Sequence, residues 1–319
     1  MDERHALIFD LYRGTTHDGP GQRDTVFFKG CPLSCTWCHN PEGISTSPLV
    51  WWQKQACIGC GLCHDACPTG ANTLAESGIQ IDRDKCTVCG KCALACPAEA
   101  LTLCGQEWSL EALLEEVLKN KPYYDRTGGG VTVSGGEAML QYRFVERFFQ
   151  ELHAVGVTTA LDTCGHVSAA CLARVLPHTD YILYDLKLMN SADHERFCGT
   201  GNGLILENAR RIAEAINRRE LGGEFWIRTP LIPGASASEE NLRNIAAFIV
   251  NQLGVRNVAR WELCAFNNSC SSKYHRLGKP WDFAGNRALR RAEALSLRQT
   301  AERAGFPSEK LFVTGILTE

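Results

Sequence analysis

The chain has 319 residues, enough for one large domain or two smaller ones. Hydrophobic residues make up 45% and charged residues 22%, near the globular average, which excludes wholesale disorder. Lys plus Arg number 33 against 36 Asp plus Glu, a formal charge of −3, which argues against nucleic acid or an anionic membrane as the main partner.

The amino-terminal MDERHALIFDLYRG carries charges of both signs and no apolar run ahead of a small-residue cleavage site, so it does not read as a secretory signal. No stretch approaches the roughly 18 apolar residues that span a bilayer. The expected location is the cytoplasm, and the expected oligomeric state is a monomer. In that reducing setting, the 17 cysteines read as metal or redox ligands rather than as a disulfide framework.

The first strand candidate is Asp24–Gly30. Directly after it comes Cys31-PLS-Cys35-TW-Cys38, a C-x3-C-x2-C triplet. Three thiolates can hold three corners of an iron–sulfur cube and leave the fourth iron without a protein ligand. An open metal position is where a substrate binds, whereas a closed one is structural or electron-transferring. The connection from Cys31 to Trp108 is far too long for an ordinary βα loop, so residues 53–104 read as an insert. It contains Cys57-IG-Cys60-GL-Cys63-HDA-Cys67-Pro68 and, 29 residues on, Cys86-TV-Cys89-GK-Cys92-ALA-Cys96-Pro97. Each copy is C-x2-C-x2-C-x3-C-P, the run of bacterial-type [4Fe–4S] ligation, in which the fourth cysteine serves the other cluster. One cluster is expected on Cys57, Cys60, Cys63 and Cys96, the other on Cys86, Cys89, Cys92 and Cys67. Gly61 and Gly90 suit loops whose amides approach the sulfides closely. Two zinc sites are the alternative, and the matching Cys-Pro ends argue against them. The insert resembles the ferredoxins.

Beyond the insert, helix-type and strand-type stretches alternate. Ser109–Asn120 is an amphipathic helix with Ser109 as its N-cap. Strand candidates are Val131–Ser134, Thr158–Thr163, Tyr181–Leu186, Phe225–Thr229, Ala259–Phe266 and Lys310–Val313. Helix candidates are Tyr142–His153, Leu204–Arg218, Glu239–Gln252 and Arg287–Ala304, whose arginines read as a solvated face. The alternation argues for an α/β fold with a parallel sheet curved into a full or partial barrel. Residues 1–52 and 105–319 form the barrel domain. Ser134-Gly135-Gly136-Glu137, Asp162-Thr163-Cys164 and Asp185-Leu186-Lys187 fall at successive strand ends, where barrel chemistry sits. Cys104, Cys164, Cys171, Cys198, Cys264 and Cys270 lack ligand spacing and read as buried small hydrophobes.

The triplet and its setting resemble the radical S-adenosylmethionine (SAM) enzymes, which carry it after the first strand of a partial (β/α)6 barrel. Asp18-GPGQR-Asp24, Phe27-FKG-Cys31, Cys38-HNPEG and the two-cluster insert look like the activating enzymes of glycyl radical enzymes. The resemblance implies three [4Fe–4S] clusters, with SAM on the cluster of Cys31, Cys35 and Cys38. It puts Gly135, Gly136 and Glu137 at the SAM amino group. It puts Asp162, Thr163 and Asp185 near the SAM carboxylate, where some members hold a monovalent cation, and pairs Lys187 with that carboxylate. Trp37 stands where the family has an aromatic near the adenine, with ordinary packing as its other reading. Asn267, in Ala265-Phe266-Asn267-Asn268, stands where the formate acetyltransferase activases have a histidine. The implied activity is reductive cleavage of SAM to a 5′-deoxyadenosyl radical that takes hydrogen from a glycine of a partner glycyl radical enzyme. A flavodoxin or ferredoxin would be the electron donor. A radical SAM enzyme acting on a small molecule or peptide is the alternative, and a ferredoxin-type electron carrier is a third reading that leaves the triplet idle.

Overall fold

The computed structural model describes residues 2–76 and 78–319. The chain opens with β1 (His5–Thr15) and β2 (Arg23–Phe28), then passes through six short pieces. These are β3 (Leu49–Trp52), α1 (Leu62–Asp65), β4 (Asn72–Ala75), β5 (Gly78–Ile81), α2 (Lys91–Leu94) and β6 (Leu101–Cys104). Next come β7 (Gln106–Ser109), α3 (Leu110–Leu118), α4 (Lys121–Thr127), β8 (Gly130–Gly135), α5 (Tyr142–Ala154) and β9 (Thr158–Thr163). α6 (Ala169–Val175), β10 (Tyr181–Asp185), α7 (Ser191–Cys198), α8 (Gly203–Asn217) and β11 (Glu224–Leu231) follow. The chain closes with α9 (Glu239–Phe248), β12 (Val258–Ala265), α10 (Ser271–Leu277), α11 (Arg291–Arg303) and β13 (Leu311–Thr314).

Nine strands form one sheet in the order β13-β12-β11-β10-β9-β8-β2-β1-β7. From β2 through β13 every pairing in it is parallel, while β1 pairs antiparallel with both β2 and β7. The parallel strands match the sequence expectation to within two residues at most ends. β1 and β7 depart from it, and the triplet therefore follows the second strand of the chain, the first of the parallel run. Of β1 only Ala6 and Ile8 are fully buried, so no hydrophobic alternation marks its outer half.

Helices pack on the sheet through stripes at helical spacing. On α5, Phe144, Val145, Phe148, Phe149 and Leu152 are all buried. Short polar side chains cap the starts of α3, α6, α7 and α9. Ser109 accepts from the Ala112 amide at 3.1 Å, as its sequence position leads one to expect, and Asn190 from the Asp193 amide at 3.1 Å. The helix expected over Glu239–Gln252 ends as an α-helix at Phe248 and runs on as a π-turn, Ile249–Leu253. The helix expected from Arg287 begins at Arg291, because Arg290 is extended and its amide donates to the Glu293 carboxylate at 2.9 Å. Arg287 and Arg290 pair with Glu293 and Arg298 with Glu302 along the exposed side.

The opposite end of the sheet is closed by a buried cation. Arg23 has no solvent exposure and donates to the Thr132 hydroxyl at 2.8 Å and to the carbonyls of Val131 and Thr158 at 2.8 and 3.0 Å. Burial depresses its guanidinium to a pKa of about 10. Between β2 and β7, β3 pairs antiparallel with β6 and β4 with β5, each a separate two-stranded sheet. Among the described residues no helix is long and apolar enough to cross a membrane.

Candidate functional site

The parallel strands end together, and their last residues line one cavity of about 630 Å³. Cys31, Cys35, Cys38, Trp37, Gly135, Gly136, Asp162, Thr163, Asp185, Lys187 and Asn267 all reach it. The triplet loop is fixed from three sides. The Gly30 and Cys31 amides donate to the carbonyls of Gly43 and Ile44 at 2.7 and 3.0 Å. The Ser34 and Thr36 amides donate to the carbonyls of Cys198 and Phe197, both at 2.9 Å, at the end of α7. The Tyr274 hydroxyl of α10 donates to the Cys38 carbonyl at 2.9 Å. Gly136 passes so close beneath that a Cβ would lie 2.2 Å from the Gly30 carbonyl oxygen and 2.6 Å from that of Gly43, so no side chain fits there.

Glu137, expected at the cofactor, is fully buried. Its carboxylate accepts from the Thr163 hydroxyl at 2.9 Å, the Cys164 amide at 2.8 Å and the Met139 amide at 3.2 Å. Burial raises its pKa, and these donors oppose the rise. It ties the end of β8 to the end of β9. Trp37 is buried and packs against Phe197 and edge-on against Phe283, with centroids 5.8 and 6.3 Å apart. The Asn267 carboxamide oxygen accepts from the Ser269 amide at 3.1 Å.

A row of alternating charge crosses the strand ends. Asp185, Arg228 and Glu262 are direct neighbours in the register of β10, β11 and β12. Arg228 lies 3.2 Å from Asp162 and 3.4 Å from Glu262, Glu262 lies 2.7 Å from Arg260, and Lys187 pairs with Asp185. The Ser134 hydroxyl donates to Asp162 at 2.7 Å. Burial lifts the Asp162 carboxyl to about 6, with Arg228 pulling it down and Asp185 pushing it up. Arg228, Arg260 and Glu262 were not anticipated: an arginine inside a strand reads as an exposed position, and only register across strands pairs it.

Four of the six remaining cysteines also gather here. Cys164 and Cys264 line the cavity, and the fully buried Cys198 and the buried Cys270 back the triplet loop. A hydrogen bond from the Cys198 thiol lowers the Cys35 pKa against the effect of burial, with Lys187 helping. Cys171 is half-buried, so the expectation of a uniformly buried set does not hold for it or for Cys264.

The eight cysteines of residues 57–96 fall into two groups of four. Cys57, Cys60, Cys63 and Cys96 line one small cavity; Cys67, Cys86, Cys89 and Cys92 line another. Gly61 and Gly90 hold φ of +78° and +74° at the matching starts of α1 and α2. The Ala71 amide donates to the Cys67 sulfur and the Ala100 amide to the Cys96 sulfur, both at 3.2 Å. Burial opposes ionisation of Cys67, yet amide donors and the Thr69 hydroxyl hold its thiol down at about 7. Thiols ringed around a cavity, with amides aimed at sulfur, suit a four-iron cube.

Residues 56–100 match the family of 4Fe-4S dicluster domains. The choline trimethylamine-lyase activating enzyme of Oleidesulfovibrio alaskensis is 34% identical over 310 residues, 96% of this chain and 98% of that protein. The trans-4-hydroxy-L-proline dehydratase activating enzyme of Clostridioides difficile is 38% identical over 279 residues, covering 87% and 90%. A crystal structure of a radical SAM methyltransferase from Sphaerobacter thermophilus shares the fold alone, at 15% identity and a TM-score of 0.52, covering 98% of this chain and 73% of that one.

Proposed function

The chain belongs to the radical SAM activating enzymes of glycyl radical enzymes, and from that premise we propose how its own residues divide the work. Residues 1–52 and 105–319 are read as a partial (β/α)6 barrel and residues 53–104 as an inserted ferredoxin-like domain with two clusters. With the triplet's cluster, that makes three [4Fe–4S] clusters. The observation that carries the reading is the single cavity in which three cysteines of one loop meet the strand-end charges. When bound, the triplet's cluster supplies the electron that cleaves SAM to methionine and a 5′-deoxyadenosyl radical, which takes hydrogen from a glycine of the partner enzyme.

Cys31, Cys35 and Cys38 hold that cluster and leave one iron open. Gly135 and Gly136 offer backbone to the SAM amino group, and Glu137 acts as the brace that sets their height. Lys187 pairs with the SAM carboxylate by a charge-assisted bond. Asp162, Thr163 and Asp185 lie beside that carboxylate and would take a monovalent cation. Trp37 and Asn267 flank the adenine. Trp37, Ile232 and Phe266 are buried apolar walls that keep water from the reacting centre. The cysteines of residues 57–96 would hold the two inserted clusters, which would supply one-electron transfer from a flavodoxin or ferredoxin. The protein works in the cytoplasm as a monomer, without nucleic acid or membrane.

The test is electron paramagnetic resonance of the reconstituted protein with SAM, a one-electron reductant and the glycyl radical enzyme from the same gene neighbourhood. A glycyl doublet is expected, with 5′-deoxyadenosine formed in step. Deoxyadenosine without a doublet on any such partner overturns the assignment.

Asp162 makes the site sensitive to pH. Its carboxyl sits at about 6 in the fold against an ordinary 3.8, so the folded protein holds a proton that the unfolded chain releases. Stability of the SAM-free protein should therefore decline as pH rises from about 4 to about 6. SAM affinity should run the other way and weaken as pH falls through about 6, where Asp162 loses the charge with which it would hold a cation beside the SAM carboxylate. Calorimetric titration of SAM across this range checks the trend, and Asp162→Asn should flatten it.

A further inference from the structure

The two four-cysteine sites stand at different distances from the triplet. β3 and β6 form a ladder whose first rung, Leu49 with Cys104, is where the chain enters the cysteine-rich segment and, two residues before β7, leaves it. The next rungs are Val50 with Leu103, Trp51 with Thr102 and Trp52 with Leu101. The cavity of Cys67, Cys86, Cys89 and Cys92 lies against Val50, and a Cβ on its Gly90 would meet Leu103 at 3.0 Å. The cavity of Cys57, Cys60, Cys63 and Cys96 lies against Trp52 and Leu101, two rungs further out. Two residues of strand amount to ~7 Å.

A helix joins the near rungs to the triplet. On α10, Arg276 places its guanidinium over the Trp51 ring at 5.2 Å. Two residues back, Tyr274 donates to the Cys38 carbonyl. Its neighbour Lys273 donates to the Asn40 carboxamide at 2.8 Å and pairs with the buried Glu42 at 2.7 Å. The same helix therefore grips both β3 and the carboxyl side of the triplet loop. On the other side, Lys29 donates to the Glu42 carbonyl at 2.6 Å, and a Cβ on Gly105 would meet its side chain at 2.4 Å.

We infer that the site of Cys67, Cys86, Cys89 and Cys92 is the inner electron station, which reduces the triplet's cluster, and that the site of Cys57, Cys60, Cys63 and Cys96 is the outer one. The outer station receives electrons from a one-electron flavin or iron–sulfur carrier protein. This order rests on the relay reading above. Each step moves one electron: the carrier is oxidised by one as the outer site is reduced, and the same electron passes inward with no bond made or broken. Transfer falls off steeply with distance, so the near station sets the rate at which the triplet's cluster is charged.

Cys60 and Cys89 are the exposed ligands of the two sites, so serine at either tags one cluster by changing its spectrum. In fully reduced holoenzyme, Cys89→Ser should alter the spin–spin broadening of the triplet's cluster signal, and Cys60→Ser should leave it as in the wild type. Broadening altered by Cys60→Ser alone, or equally by both, overturns the order. If a serine variant drops its cluster outright, iron content reveals it and the reading survives: loss at the inner site abolishes the broadening, and loss at the outer site preserves it. The expected broadening together with full-rate glycyl radical formation from the carrier in both variants would overturn the relay while leaving the order standing.

Discussion

Cys35→Ala abolishes 5′-deoxyadenosine formation and removes roughly a third of the bound iron, the share of one [4Fe–4S] cluster in three. Cys35 is the middle thiol of the triplet and faces the cavity. Its loop is stapled to α7 on both sides, by the Ser34 and Thr36 amides, so the backbone has no freedom to bring in another donor. The Cys198 thiol and Lys187 together favour its thiolate. With alanine there, two thiolates remain, too few to retain a cube. Cys164→Ser is the informative control. Cys164 touches the same cavity and hydrogen-bonds with Cys31, yet it follows directly on β9 and is not part of the loop. Retention of all iron in that variant, with loss in Cys35→Ala, fixes the ligand count of the open cluster at three. Iron analysis and SAM turnover on both variants decide it, and full turnover in Cys35→Ala would sink the site.

Arg228→Leu is expected to weaken SAM binding by about 10–100-fold, the equivalent of the 1.5–3 kcal/mol of a charge-assisted bond. The same change should cost about 3 kcal/mol of stability, because a buried ion pair broken from one side leaves its carboxylates uncompensated. Arg228 stands between Asp162 and Glu262, and all three side chains are less than a fifth exposed. Without it, Asp162 loses the cation that pulls its pKa down, so its carboxyl is pushed further toward the protonated form and offers less charge to a cation beside the SAM carboxylate. Arg228→Lys should restore part of the stability and less of the binding, since a single ammonium cannot span two carboxylates as a planar fork does. Denaturant melts and SAM titrations of the two variants separate the effects. An Arg228→Leu protein that binds SAM as tightly as the wild type refutes the role.

The parallel strands were legible in the sequence because each is a short apolar run set off by helix-type stretches, and Ser109 shows that even a cap can be placed from sequence. The repeated C-x2-C-x2-C-x3-C-P run was legible because spacing alone marks it, and its cysteines line two small cavities. What escaped depends on contacts between distant segments. The pairing of Arg228 with Asp162 exists only once β11 has found its register beside β10. Cys198 and Cys270 reach the triplet from helices more than a hundred residues away, where no spacing rule applies. Glu137 was legible as an acid at a strand end, but the direction of its side chain is decided by Thr163 and Cys164 on the next strand. β1 escaped for a different reason: an antiparallel strand near the edge of the sheet buries too little to carry a pattern.

Leu49 and Cys104 face each other across two antiparallel strands, so the chain departs for the cysteine-rich segment and returns at a single point. A hairpin turn of about two residues would close that gap without moving either strand. At the level of the gene, a segment joined in this way could be gained or lost in one event while the large sheet and its cavity keep their shape.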